Sequence, residues 1–245
     1  MQEHLQDGFD VRFDWGPHAA RQAARRGDVV VIVDVLRFST ATASAVHHGA
    51  SIHPRGYAQR ERAAELAASL QAEPHTGGLS PLAFSAADRG RRYLVFSPNG
   101  AWCSELARDA VAVLAGALVN ASAVAAQART RAERLGSAVS VIACGELWDD
   151  APGSEPVLRP CLEDYLGAGA ILRGLSGRPS PEASLCRDAF LGAAGGLDAL
   201  LWECASGREL RTKGRGDDVA FSSALDRLDR VPLLTDGEFR AASAP

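Results

Sequence analysis

The chain has 245 residues, 23 % of them charged and 47 % hydrophobic, with a formal net charge of −4. This is the balance of a globular chain with ample core, read as one domain over 1–245, and not of a fibrous or disordered one. The slight acidity gives no reason to expect nucleic acid or an anionic membrane as partner, and no apolar run reaches the roughly 18–20 residues of a membrane span.

Phe9, Val11, Phe13 and Trp15 alternate, as in an edge strand. Pro17 suits the first turn of a helix that runs through Arg26 and stops at Gly27. Val29 to Val33 are five consecutive β-branched residues, the pattern of a parallel strand buried on both faces, and Asp34 stands at its carboxyl end. Ser39 and Thr40 can cap a helix over 40–48. Ligands of open α/β sheets bind beyond the carboxyl ends of strands, and helix N-termini attract anions. Asp34, Arg37, Ser39 and Thr40 could therefore hold a cation and a phosphate together; the plainer reading is an Asp–Arg pair beside two capping hydroxyls.

A short strand over 49–54 and an alanine-rich helix over 60–71 follow, then a mainly irregular stretch over 73–91. Residues 92–96 make a strand that runs into Ser97-Pro-Asn-Gly100, a helix leads to Arg108, and 110–115 make another strand. Asn120 and Ser122 can cap a helix to Leu135, and 138–144 form a strand ending at Gly145-Glu146. The proline-rich stretch 148–160 reads as a surface excursion. Residues 161–175 are helical, with Glu163 and Asp164 in the first turn where acids suit the helix dipole. Residues 181–206 read as helix broken near Gly195-Gly196, followed by a helix to about Leu228 and a strand over 231–234. Alternating strands and helices predict an α/β fold: a layered α/β/α arrangement with a largely parallel or mixed sheet.

Asp34, Glu146, Glu163 and Asp164 beside glycine-containing turns make the oxygen inventory that Mg²⁺ prefers, and arginines are the forks that phosphate and sulfonate oxygens favour. Asn99-Gly100 reads equally as an ordinary turn, and Asp217-Asp218 as a solvated cap. The histidines show no metal spacing. The five cysteines are odd in number and lack C-x-x-C spacing, so they read as reduced thiols of a cytoplasmic protein, and the polar N-terminus does not read as a signal peptide. There is no P-loop, no G-x-S-x-G elbow and no D-x-D aspartyl-phosphate signature, which disfavours a covalent intermediate.

Val-Asp34-Val-Leu-Arg37-Phe-Ser-Thr40, Leu79-Ser-Pro81, Ser97-Pro-Asn99-Gly100, Gly116-Ala-Leu-Val-Asn120, Cys144-Gly-Glu146, Glu163-Asp164 with Gly167-Ala-Gly169, Ser206-Gly-Arg208-Glu-Leu210 and Gly216-Asp217-Asp218 occur here in one order. This series resembles the 2-phosphosulfolactate phosphatase family over roughly 28–235. The resemblance implies a Mg²⁺-dependent phosphatase that releases phosphate from 2-phosphosulfolactate or a related small acidic organophosphate by metal-assisted attack of water. It implies catalytic roles for Asp34, Arg37, Glu146 and Arg208, substrate contacts from Ser39, Thr40, Asn99, Gly100 and Asn120, and metal ligation by Asp34, Glu163 and Asp164. Asp217 and Asp218 are candidates beside these. A small anionic phosphoester is the expected partner, with neither nucleic acid nor membrane, and a homodimer is the prior expectation for assembly. The chain departs from the family pattern at Thr76-Gly-Gly-Leu-Ser-Pro81, where relatives carry a Gly-Glu-Arg segment before Asn-Ser-Pro. That departure keeps open an alternative, a catalytically impaired member that binds an anionic metabolite or a partner protein.

Overall fold

The computed structural model describes residues 3–148 and 157–243. Among the described residues nine strands make one mixed sheet. In chain order its first seven are β1 (Val11–Trp15), β2 (Val29–Val33), β3 (Ser51–Gly56), β4 (Glu73–Pro74), β5 (Arg92–Ser97), β6 (Ala112–Gly116) and β7 (Val139–Ala143). A separate two-stranded ribbon, β8 (Glu146–Leu147) with β9 (Leu158–Arg159), follows, and β10 (Pro232–Thr235) and β11 (Glu238–Ala241) complete the main sheet. The sheet order is β1-β7-β2-β6-β10-β11-β3-β5-β4. Strands β1, β7, β2 and β6 are parallel, as are β3, β5 and β4, and the antiparallel hairpin β10–β11 between the blocks reverses the direction of the second.

The helices are α1 (Gly16–Arg26), α2 (Phe38–His47), α3 (Ala63–Leu70), α4 (Gly100–Leu106), α5 (Ala121–Leu135), α6 (Leu162–Leu172), α7 (Pro181–Ala193), α8 (Leu197–Glu203), α9 (Ala205–Thr212) and α10 (Gly216–Ser222). Strand β2 is buried throughout. Its Val29, Val31 and Val33 enter a core shared with α5, α6 and α7, whereas Val30 and Ile32 enter one shared with α1, α2 and α4. The alternating side-chain directions of one strand thus tie two helical layers to the sheet, each valine contributing about 1.5–3 kcal/mol by its burial. This is the layered α/β/α arrangement.

The structure departs from the sequence reading in several places. Helix α2 starts at Phe38 and not at Thr40, because the Asp34 side chain, rather than Ser39 or Thr40, accepts the Phe38 amide. The helix expected over 60–71 opens as a 3₁₀ turn, Tyr57–Arg62, before α3. The stretch containing Ser206 and Leu210 is helix α9, and α10 stops at Ser222, short of Leu228. Strand β11 is additional: Asp236 (φ 53°) and Gly237 (φ 76°) make a two-residue hairpin turn in the left-handed region, as a type I′ turn requires. Of the excursion expected over 148–160, residues 149–156 lie outside the described residues, while Leu158–Arg159 pair with β8.

Candidate active site

The carboxyl ends of β2 and β5 meet at Asp34. The Phe38 amide donates to Asp34 Oδ1 at 3.0 Å and the Gly100 amide to Oδ2 at 2.9 Å, with the Ser97 hydroxyl 3.5 Å from Oδ2. A side chain at position 100 would not fit: its Cβ would meet the Phe38 ring and come within 2.7 Å of Asp34 Oδ2. The loop after β2 is closed by its own hydroxyls. Ser39 Oγ accepts from the Asp34 amide and donates to the Ile32 carbonyl, and Thr40 Oγ1 donates to the Val35 carbonyl at 2.7 Å.

Helix α6 brings Glu163 and Asp164, both buried, to the same region. Asp164 Oδ1 accepts the Val35 amide at 2.7 Å and Oδ2 the Gly145 amide at 2.9 Å, so one carboxylate joins the loops after β2 and β7. The close approach depends on Gly167, where a Cβ would lie 2.5 Å from Val35 Cγ2. The buried Cys204 thiol faces Glu163. Glu146, at the start of the ribbon, accepts a hydrogen bond from Asn99 Nδ2 at 2.8 Å.

These acids perturb one another. Burial pushes the Asp34 carboxyl up to about 6, opposed by the Phe38 and Gly100 amides and reinforced by Glu163. Burial and the charge of Asp34 push Glu146 up to about 7. Asp164 is driven well above the usual carboxylate range by burial and then by Asp34 and Glu163. Perturbed acids grouped at one end of a sheet are what an active centre requires. Among the described residues no three His, Cys, Asp or Glu side chains meet at metal-ligand spacing. The acids form a neighbouring group rather than a closed coordination sphere. Their donor chemistry nevertheless fits Mg²⁺: the atoms are all carboxylate oxygens, and neighbouring carboxylates raise the proton affinity of Asp34, Glu146 and Asp164, a repulsion that a hard dication relieves.

A cavity of 170 Å³ opens on this group and is lined by Asp34, Arg37, Asn99, Glu146, Ser206 and Lys213, among others. Arg37 is fixed by the buried Asp218, whose other oxygen accepts from the Ser80 hydroxyl at 2.5 Å. Ser206 is 4 % exposed, and its buried hydroxyl has no hydrogen-bond partner among the described residues. A buried hydroxyl left without a partner in a cavity wall has its bonding capacity free for a ligand. A larger cavity, 560 Å³, lies at the opposite end of the sheet around Asp10 and Val139 and has no such group of buried acids.

The structure thus brings together Asp34, Arg37, Asn99, Gly100, Glu146, Glu163 and Asp164. It does not bring the others. Ser39 and Thr40 turn their hydroxyls into the loop. Asn120 is fully buried, its amide group accepting from the Ala117 amide and donating to the Arg230 carbonyl, so it holds a turn and does not line the cavity. Arg208 is exposed on α9 away from the cavity wall, and Asp217 faces solvent while Asp218 joins the site through Arg37.

Sequence reasoning missed Ser97, Ser206 and Lys213. The spacing 206, 209, 210, 213 is that of one helical face, and all four residues line the cavity, whereas 208 projects elsewhere. Reading α9 as a helix would have exchanged Arg208 for Lys213.

The profile of a family described as 2-phosphosulpholactate phosphatase matches residues 17–237. The chain is 30 % identical to a probable 2-phosphosulfolactate phosphatase of Gloeobacter violaceus, over 85 % of this chain and 89 % of that protein. A probable 2-phosphosulfolactate phosphatase of a Synechococcus species is 32 % identical, over 84 % of this chain and 88 % of its own length. A third, of Symbiobacterium thermophilum, is 29 % identical, over 86 % and 93 %.

Proposed function

The chain belongs to the 2-phosphosulpholactate phosphatase family, phosphoric monoester hydrolases, and on that premise we propose that it hydrolyses 2-phosphosulfolactate or a closely related acidic phosphoester with the aid of Mg²⁺. Water attacks phosphorus, the ester P–O bond breaks, and the products are the 2-hydroxy acid and phosphate. One observation above all supports this reading: Asp34, Arg37, Asn99, Glu146 and Ser206 line one small cavity.

Each residue has a role that its surroundings allow. Arg37, oriented by Asp218, presents its remaining N–H groups to a phosphoryl oxygen, and Lys213 lines the same cavity while paired with Glu209. Glu146, pushed up to about 7, is partly ionised at neutral pH and can take the proton of the attacking water while Asn99 holds it in place. Asp34 with Glu163 and Asp164 would hold Mg²⁺, which when bound offsets phosphoryl charge and acidifies water. We read the protein as a cytoplasmic enzyme; no helix among the described residues is long and apolar enough to cross a membrane.

The test is phosphate release from 2-phosphosulfolactate, 2-phospholactate, phosphoglycerate and phosphoglycolate in the presence of Mg²⁺. Release from 2-phosphosulfolactate above the others supports the assignment. Release from another ester keeps the chemistry and changes the substrate. Silence across the panel from folded protein would favour an anion-binding member without turnover.

A further inference from the structure

Arg37 is the wall between two cavities. On one side is the acid-lined cavity; on the other is a 380 Å³ cavity lined by Arg37, Tyr57, Arg60, His75 and Leu79, among others. Leu79 is shared as well, so the two spaces adjoin. The second cavity holds no carboxylate in its lining.

Arg60, an exposed residue in the wall of this cavity, engages Tyr57 rather than a carboxylate. Its Nη1 donates to the Tyr57 hydroxyl at 2.6 Å, and its guanidinium stands over the Tyr57 ring, 5.1 Å from the centroid. Among the described residues no carboxylate pairs with it, whereas Arg62 two positions on is bound by Glu65. With one N–H engaged and one face stacked, the guanidinium keeps further N–H groups that an anion in the cavity can use. The His75 ring that helps line the cavity is fixed by stacking on Phe84, centroids 4.4 Å apart, and by a hydrogen bond from Nδ1 to the Gly78 carbonyl.

We propose that this second cavity is the seat for a second anionic group of the substrate, its sulfonate, and that Arg60 is a specificity-determining residue. Arg37 then lies between two anions, the phosphoryl group on the acid-lined side and the distal group on the Arg60 side. The identity of the reacting group rests on the phosphatase reading, while the binding of the distal anion does not. A substrate lacking the distal group forfeits the Arg60 contact.

Two measurements on the full chain test this. Calorimetric binding of 3-sulfolactate, which has no ester to cleave, is compared for wild type, Arg60→Gln and Arg62→Gln. Steady-state kinetics are then compared for 2-phosphosulfolactate and 2-phospholactate. Arg60→Gln is expected to weaken 3-sulfolactate about tenfold and to raise KM for 2-phosphosulfolactate about tenfold, with kcat within twofold and 2-phospholactate unaffected. Arg62→Gln, which removes the same charge outside the cavity, is expected to change neither. Equal effects of the two variants would reduce the finding to general electrostatics and overturn the proposal. Equal effects of Arg60→Gln on the two esters, no effect, or no 3-sulfolactate binding by wild type would overturn it as well. Absence of turnover with Arg60-dependent 3-sulfolactate binding would sink the phosphatase reading and leave the subsite standing.

Discussion

The Gly100 amide donates to Asp34 Oδ2 across 2.9 Å, joining the segment after β5 to the end of β2 although their blocks of the sheet run in opposite directions. The contact closes the candidate site: Asn99, next in the chain, reaches Glu146, and Asp34 in turn feels the charge of Glu163.

Replacing Asp34 by Asn should lower phosphate release at least about a hundredfold while the chain still folds. The amide can accept from only one of Phe38 and Gly100 and turns a donor toward the other, at about 1–3 kcal/mol, offset in part by loss of a buried charge. Circular dichroism and turnover measured on one preparation check both halves. Wild-type rates would remove Asp34 from the chemistry.

Gly100→Ala should be worse for the fold than Asp34→Asn. The added methyl meets the Phe38 ring and the Asp34 carboxylate, and overpacking of this kind costs about 1–3 kcal/mol or more. Urea unfolding should show a lowered midpoint, and turnover should fall with it because Asp34 is displaced.

The pH dependence of stability has a defined direction in the metal-free protein. Asp34 and Glu146 hold protons more tightly when folded, at about 6 and about 7, than the ordinary 3.8 and 4.5. Their contribution is complete below pH of about 4 and is lost as pH rises through 6 to 7, because the folded state must then ionise against burial and mutual repulsion. Unfolding free energy should therefore fall between about pH 4 and 7, and Glu146→Gln should flatten part of that fall, on the order of 1–3 kcal/mol. An identical slope in wild type and variant would contradict the assigned environment of Glu146.

Asp218→Asn should loosen Arg37. The amide keeps the Ser80 contact but no longer offers a charged partner, and a charge-assisted hydrogen bond is roughly twice as strong as a neutral one. KM for the phosphoester should rise several-fold, with a smaller change in kcat. An unaltered KM would show that Arg37 needs no anchor.

Ser206→Ala separates a ligand contact from a structural one. The hydroxyl has no partner to lose, so thermal stability should stay unchanged or rise, while KM should increase about three- to tenfold, the equivalent of one neutral hydrogen bond. Lost stability with unchanged KM would assign Ser206 to the fold alone.

The sequence made some of this legible and hid the rest for physical reasons. An unbroken valine-isoleucine run is hard to accommodate except as a doubly buried strand, so β2 and the carboxylate at its end could be read directly. Asn120 could not be separated from a ligand contact, since its partner, the Arg230 carbonyl, is 110 positions away. Ser39 and Thr40 looked free because their acceptors, the Ile32 and Val35 carbonyls, depend on how the loop turns. Arg208 was taken from its motif without a helix to orient it. The Asp236-Gly237 pair is a hairpin-turn signal, but the reversal of half the sheet depends on which strands β10 and β11 pair with, which no local pattern shows.

The most direct measurement is the initial rate of phosphate release from 2-phosphosulfolactate by wild-type protein, before chelator, after it, and after Mg²⁺ is restored. The account predicts release that the chelator abolishes and Mg²⁺ recovers. A rate indifferent to the chelator, in folded protein, would contradict a centre built on Asp34, Glu163 and Asp164 holding a cation.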